Sequence, residues 1–440
     1  MTNTRSGTMN LVLFYSPFGR LNYSWRRPAS NAENVMTLDY ISRTAQLAES
    51  AKFDAIFLAD KLSRDGTDML QIEPLTTLGA LSAVTKDIGL VATVSTTFSQ
   101  PYNAARMLSQ IDFLSNGRAA VNIVTSTQGE ENFSGAIPSK SERYRIAEDW
   151  LQAAVALWDG WDDDAVVGDR SGNVWADPAR IHAADHVGPY FTVKGPMTVP
   201  RSPQGRPVIV QAGQSPDGMD FGARNAEVIF TAKSELDLAL AFYADMKRLA
   251  VANGRDEESL RILPGVVPIV GSSLAEAEDI AGELADLYAI DDGLAYLSLL
   301  LLDVPLADLP LDEPIPVHRL VSLEQAAASP NLHASRYPNL YRIVVDERPT
   351  LREMIRTRAK ITGHQFQLGT PSSIADDMQH WFESYACDGF TIIPPYMPEG
   401  FARVATELVP ELQRRGLFRT EYAGGTLRDT LGLSVRQATR

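Results

Sequence analysis

Eight short runs rich in β-branched and small apolar residues recur along this chain, and stretches with helical character separate them. The runs are 11–14, 55–59, 88–94, 119–124, 208–211, 228–231, 261–270 and 389–393. Each is continuously apolar rather than alternating, which is the pattern of a strand buried on both faces. The intervening stretches have the other periodicity. In ERYRIAEDWLQAAVALWDGW, Ile146, Trp150, Leu151, Ala154, Leu157 and Trp158 recur at helical spacing. In TPSSIADDMQHWFESYA, Thr370 stands before Pro371, an N-cap followed by proline at the first helical position. Eight strand–helix units predict an α/β fold of the (β/α)8 TIM-barrel kind rather than an open, doubly wound sheet.

With 440 residues, 45% of them hydrophobic, the chain has ample apolar material for one large barrel spanning 1–440. Two stretches exceed the minimal repeat and predict insertions. The first, 160–206, follows the fourth strand–helix unit and is rich in Gly, Pro and Asp. The second, 289–368, follows strand seven. Connections this long in a compact fold serve as lids or partner contacts. The tail 415–440 carries GLFRTEYAGGTLRDTLGL, apolar enough to dock on the barrel.

A formal net charge of −15 argues against a nucleic-acid surface. No apolar run approaches the roughly 20 residues that span a bilayer. The opening MTNTRSGTMN has no apolar stretch of the secretory kind, and the single cysteine, Cys387, fits a reducing compartment. The expectation is a cytoplasmic protein that acts on a small molecule, with no membrane or nucleic-acid partner.

Barrels of this kind carry their chemistry at the C-terminal ends of the strands. Strand two ends at Asp60, strand three at Ser95-Thr96-Thr97, and strand four at Thr125-Ser126 with Asn122 inside it; strand five delivers Gly213 and Ser215. The segment Gly213-Gln214-Ser215-Pro216-Asp217-Gly218 is not a hydrolase elbow. Its second glycine comes three residues after the serine instead of two, and Pro216 lacks the backbone N–H of an oxyanion hole. A strand, a glycine turn, a serine hydroxyl and a helix start form instead a cradle for an anion. In SKSERYRIAEDW, Lys140, Arg143, Tyr144 and Arg145 open the fourth helix, where cations oppose the helix dipole unless an anion is present. Each residue taken alone reads equally as a cap, a turn or a solvated face.

No metal site is expected. His182 and His186 are four apart but lie in a loop-like stretch, and His318, His333, His364 and His380 are scattered. A carboxylate pair for a barrel hydrolase would need Asp60 together with Glu130 or Glu131 on the following loop.

Four segments, NGRAAVNIVTS, RYRIAEDWLQAAVALWDGW, HVGPYFTVKGPMTVPRSPQGRPVIVQAGQS and PELQRRGLFRTEYAGGTLRDTLGL, together resemble the nitrilotriacetate monooxygenase component A group of the bacterial-luciferase-like flavin monooxygenases. The similarity runs from about residue 11 to 433. The resemblance implies a barrel that binds FMN at its C-terminal face and receives it reduced, as FMNH2, from a separate flavin reductase. It further implies that O2 forms a flavin C4a-hydroperoxide, which oxygenates a small organic substrate. By the same resemblance, Asp60 and Thr97 meet the flavin ring or its edge, and Tyr144 and Ser215 lie nearer the ribityl-phosphate. Relatives often carry His at the position of Lys140, so a proton-transfer role there is not carried over, although lysine still serves as a point charge toward phosphate or a flavin carbonyl. No catalytic residue is assigned, and a homodimer or homotetramer is expected. The alternatives are a deazaflavin-dependent dehydrogenase of the same superfamily, a barrel hydrolase, and a non-catalytic flavin store.

Overall fold

The computed structural model describes residues 5, 7–63, 70–329, 334, 337–358 and 364–435. Eight parallel strands close into a ring: β1 (Asn10–Tyr15), β2 (Ala55–Leu58), β3 (Gly89–Ser95), β4 (Ala119–Val124), β5 (Val208–Gln211), β6 (Val228–Thr231), β7 (Arg261–Val270) and β8 (Gly389–Ile392). Each pairs with the next, and β8 returns to β1 through Asn10↔Gly389 to Leu13↔Ile392. All eight expected strands form; β4 to β7 have the expected bounds, and the ends of the other four are displaced by no more than one residue.

A ninth strand, Gln365–Gly369, was not expected. It lies at the end of the stretch read as the second insertion and pairs in parallel with the upper half of β7, Val266↔Gln365 to Val270↔Gly369. Its sequence QFQLG buries Gln365 and Gln367 while Phe366 faces outward. A search for continuous apolar runs passes over such a strand. The lower half of β7 meanwhile pairs with β6 and β8, which explains a strand ten residues long.

Alternate residues of the strands face the lumen and the helices. Ala55 and Phe57 of β2 point inward with Val12, Val91, Ala120, Val208, Val210, Val228 and Leu263, whereas Ile56 and Leu58 join the layer under the helices. Phe14, Phe57 and Phe230 fill the upper lumen, with ring centroids 5.3 to 6.0 Å apart. The base is closed by the C-terminal tail. Helix Leu427–Leu431 inserts Leu427 and Leu431 against the lumen residues, and Leu433 follows. The void left there is ≈ 20 Å³, about the room of one water molecule. The N-terminal mouth is therefore shut, and a ligand the size of a nucleotide must enter from the other end.

The helices carry the caps that their sequences call for. Thr37, Ser139, Ser215 and Ser273 each cap a helix, α1 (Leu38–Ser50), α4 (Lys140–Trp158), α5 (Pro216–Asn225) and α7 (Leu274–Asp286), in a chain order that includes α2 (Pro74–Ser82), α3 (Pro101–Leu114) and α6 (Leu236–Ala252). Thr370 caps Pro371–Glu383 as expected. On α4, Trp150, Leu151, Ala154, Leu157 and Trp158 are buried, and Ile146 only partly.

The first insertion folds into two small hairpins, Val166–Asp169 with Val174–Ala176 and His186–Val187 with Thr192–Val193. Buried Asp149 of α4 holds the second hairpin by accepting from the Tyr190 and Phe191 amides at 2.9 and 2.8 Å and by pairing with His186 at 2.8 Å. His186 therefore lies on a hairpin rather than in an open loop, and His182 turns to a different carboxylate, Asp162. The second insertion builds an apolar cluster of its own around Leu297, Leu300, Tyr337, Leu340, Leu351 and Met354. His333 lies outside the described residues. Among the described residues, no helix is long and apolar enough to cross a membrane.

Candidate active site

The open mouth collects the C-terminal strand ends, and on its β4–β5 side a small polar cradle is assembled. Ser215 is the N-cap of α5, its Oγ accepting from the Gly218 amide at 3.3 Å. Tyr144, one turn into α4 from the other side, directs its hydroxyl to the same place and hydrogen-bonds the side chains of Ser215 and Thr125. Burial pushes the Tyr144 phenol above its usual range, and those two hydrogen bonds pull the other way. The group stays protonated and able to donate. Both glycines of the segment lie under this hydroxyl. A Cβ built on Gly213 would fall 2.5 Å from the Tyr144 oxygen and also strike the Gln211 amide, and one on Gly218 would fall 2.6 Å away. Only glycine at both positions lets the phenol, the serine and the first turn of α5 converge.

Arg143 completes the cradle. Its Nη1 donates to the Pro138 carbonyl at 2.8 Å, and its buried Nε has no hydrogen-bond partner among the described residues. An unpaired buried N–H of a cation is costly unless an anion arrives. Thr97, beyond β3, likewise has a buried hydroxyl with no partner among the described residues. A dianionic phosphate on a polar tail fits this donor set of one hydroxyl, one phenol, a helix N-terminus and a guanidinium edge, although the exposed Asp217 carboxylate in the first turn of α5 acts on Tyr144 from nearby.

Beside the cradle opens a cleft of ≈ 380 Å³ lined by Phe14, Tyr15, Ser16, Gly19, Arg20, Ala59, Asp60, Lys61, Leu62, Gln71 and residues 124–128 after β4. Asp60 faces it from the end of β2, and burial raises its carboxyl above the ordinary carboxylate range, opposed by a hydrogen bond from the Lys61 amide. The loops over the cleft are tied together. Asn132 donates to the Leu62 carbonyl at 2.8 Å, and Phe98 stacks on Phe133 at 4.5 Å.

Of the residues expected at the site, Tyr144 and Ser215 are in direct contact, Asp60 lines the adjoining cleft, and Thr97 has an unsatisfied hydroxyl. Several others satisfy one another instead. Ser126 donates to Ser95 at 2.7 Å, Thr96 to the Val124 carbonyl at 3.2 Å, and Asn122 to Thr93 at 3.1 Å. These reinforce strand ends. Lys140 is exposed in the first turn of α4, one turn before Tyr144, and is in no ion pair among the described residues. A solvated ammonium on a flexible stem contributes little to a fixed site. Replacing Lys140 with alanine should weaken FMN binding by no more than about threefold, on the order of 0.7 kcal/mol. A tenfold or greater loss in a fluorescence titration would assign it a direct contact.

The sequence reading passed over Arg20 and Tyr15. Applying the strand-end rule to β1, as it was applied to the next four strands, would have brought up Tyr15, whereas Arg20 lies further along the loop.

Comparison with known proteins identifies the family. A family model described as luciferase-like monooxygenase matches residues 20–386, and the chain belongs to that family. It is a flavin-dependent monooxygenase. Within the family it is similar to N-acetyl-S-(2-succino)cysteine monooxygenase of Bacillus subtilis (strain 168), at 40% identity over 97% of this chain and 96% of the relative. It is also similar to nitrilotriacetate monooxygenase component A of Aminobacter aminovorans, at 38% identity over 97% and 96%. A riboflavin lyase solved with a modified FMN and riboflavin superposes with a TM-score of 0.81 at 27% identity, covering 97% of its own chain and 98% of this one.

Proposed function

We propose that this chain is the oxygenating half of a two-component system that takes up reduced FMN from a separate flavin reductase and uses O2 to oxygenate a small organic substrate. The observation that carries the reading is the convergence of Tyr144, Ser215, Gly213 and Gly218 at the N-terminus of α5, on the mouth that also holds the cleft. The designation of a relative as component A supports a partner protein. A cytoplasmic location agrees with the buried free thiol of Cys387. Self-association, as a homodimer or homotetramer, is supported by Val166, Val167, Trp175 and Val187, which the first insertion exposes.

In this reading Ser215, Tyr144, Arg143 and the N-terminal turn of α5 would hold the phosphate, Asp60 and Thr97 would face the ring system, and the cleft would receive the substrate. Bound reduced flavin supplies the electrons for oxygen activation. The residues of this chain orient the two reactants and keep water out. Thr97 would offer its hydroxyl hydrogen bond to the cofactor edge, and the Tyr144 hydroxyl, held protonated by burial, would donate a hydrogen bond toward the phosphate.

The test is rapid mixing of the protein and photoreduced FMN with oxygenated buffer. A transient absorbance distinct from both oxidised and reduced flavin, decaying on a timescale of seconds or longer, is the expected outcome. Reoxidation at the rate of free flavin would refute the oxygenase reading. Turnover of a hydride donor with a deazaflavin, and none with FMN, would favour a dehydrogenase instead.

A further inference from the structure

We propose that the small apolar void inside the barrel is a binding site for O2, lying one aromatic layer below the cleft and feeding it. A monooxygenase consumes O2, and the proposal rests on the flavin reading only for the cleft as the place where that O2 reacts. The void measures ≈ 20 Å³ and lies between the docked tail and the upper lumen. Ala55 of β2 and Ala120 of β4 are the smallest side chains around it, at lumen positions where barrels of this kind mostly carry bulky branched residues. Val208, Leu263 and the tail residue Leu427 close around the space that the two alanines leave. Of the described side chains that line it, Thr391 alone brings a polar atom.

That lining selects the occupant. A buried water needs about two to four polar partners, and a space walled by aliphatic and aromatic carbon takes apolar guests instead. The backbone groups of the strands pair around the closed ring, so they offer little to a polar guest. Charged and hydrogen-bonding substrates are excluded by the cost of their desolvation. O2 is uncharged, donates no hydrogen bond, and is close in size to the water molecule that this volume admits. Position supplies the link to the reaction. Phe57 and Phe230 line the void from above. Phe14 packs against both, with ring centroids 5.3 and 6.0 Å away, and itself lines the cleft. One layer of rings therefore separates void from cleft. In the other direction the exit is plugged by Leu427 and Leu431 on the tail helix. Core side chains change rotamer while the average packing holds, so the turning of a ring opens the short way, and that way leads to the cleft.

The test is methyl NMR of the full-length, flavin-free chain with labelled alanine and leucine methyls, under O2 pressure and under the same pressure of N2. O2 is paramagnetic and speeds the relaxation of the methyl groups it touches. The expected enhancement at Ala55, Ala120 and Leu427 is at least about threefold above that at Ala45 and Ala153, which are also buried but lie in the layer under the helices. Ala120→Val fills the void and should bring Ala55 and Leu427 down to the level of those controls. Ala55→Val makes the same test from β2 if overpacking keeps the first variant from folding. In stopped flow, the second-order rate constant for O2 with the reduced, FMN-loaded variant should fall about fivefold, with FMN affinity within about twofold of wild type. Uniform enhancement across the buried methyls, or a filled void with an unchanged O2 rate constant, would each overturn the proposal. The NMR arm contains no flavin, so a chain that failed to bind FMN would refute the flavin reading while enrichment at Ala55 and Ala120 still supported the gas site.

Discussion

Ser215→Asp should leave the barrel folded and lower FMN affinity by two orders of magnitude or more. Aspartate is among the best N-cap residues, so its carboxylate can accept from the Gly218 amide as the serine Oγ does at 3.3 Å, and α5 keeps its first turn. What changes is charge. A carboxylate now stands where the phosphate would be held, next to the Tyr144 hydroxyl. Two like charges about 4 Å apart cost on the order of 4 kcal/mol at the effective dielectric of a partly buried site. That corresponds to roughly a thousandfold in affinity before relaxation and screening. Ser215→Ala is the counterpart. It loses the cap, about 1 kcal/mol of stability, and one hydrogen bond to the ligand, so its FMN affinity should fall only about tenfold. Equilibrium dialysis with FMN, with far-ultraviolet circular dichroism to monitor folding, separates the two. If the aspartate variant binds FMN as the wild type does, the phosphate lies elsewhere.

How much of this was legible beforehand depended on how local each feature is. The eight barrel strands announce themselves because burial on both faces demands continuous apolar runs, and β4 and β5 were delimited to the residue. The ninth strand reverses that pattern. Gln365 and Gln367 turn inward and Phe366 outward, so hydropathy alone gives no reason to expect it. Ser215 as a cap was readable from Ser-Pro at a strand-to-helix turn. The need for glycine at both 213 and 218 was not, since it depends on the Tyr144 hydroxyl arriving from α4. Arg20 was missed for a related reason. Nothing near it in sequence marks it as fixed, and its loop is held by Pro394, Pro395 and Tyr396, contacts that exist only once the barrel has closed. Lys140 shows the converse: a residue prominent in the sequence motif stays in solvent.

The docking tail supplies the second large effect. Arg428 is fully buried and donates to both carboxylate oxygens of Glu227, at 2.6 and 3.2 Å, and to the carbonyls of Gln204 and Arg206. Glu227 Oε2 also accepts from the Ile209 amide of β5 at 3.0 Å, so one ion pair joins the tail, the end of the first insertion and the barrel wall. Arg428→Met removes the cation and leaves the Glu227 carboxylate buried beside an apolar side chain. Breaking a buried pair from one side costs about 3–5 kcal/mol, enough to threaten a domain of ordinary marginal stability. Arg428→Met combined with Glu227→Gln should recover much of that loss, because the neutral amide can still accept from Ile209 and no charge is stranded. The measurement is urea unfolding of the two variants beside wild type. The single variant should unfold at clearly lower urea, and the double variant should lie between it and wild type. Because Arg428 acts at the closed base while the Ser215 cradle lies at the opposite mouth, FMN affinity of the folded single variant should stay within about twofold of wild type, a difference of ~0.4 kcal/mol. Loss of flavin binding in parallel with stability would mean that the two ends of the barrel are coupled, with the tail acting as part of the site and not as a plug alone.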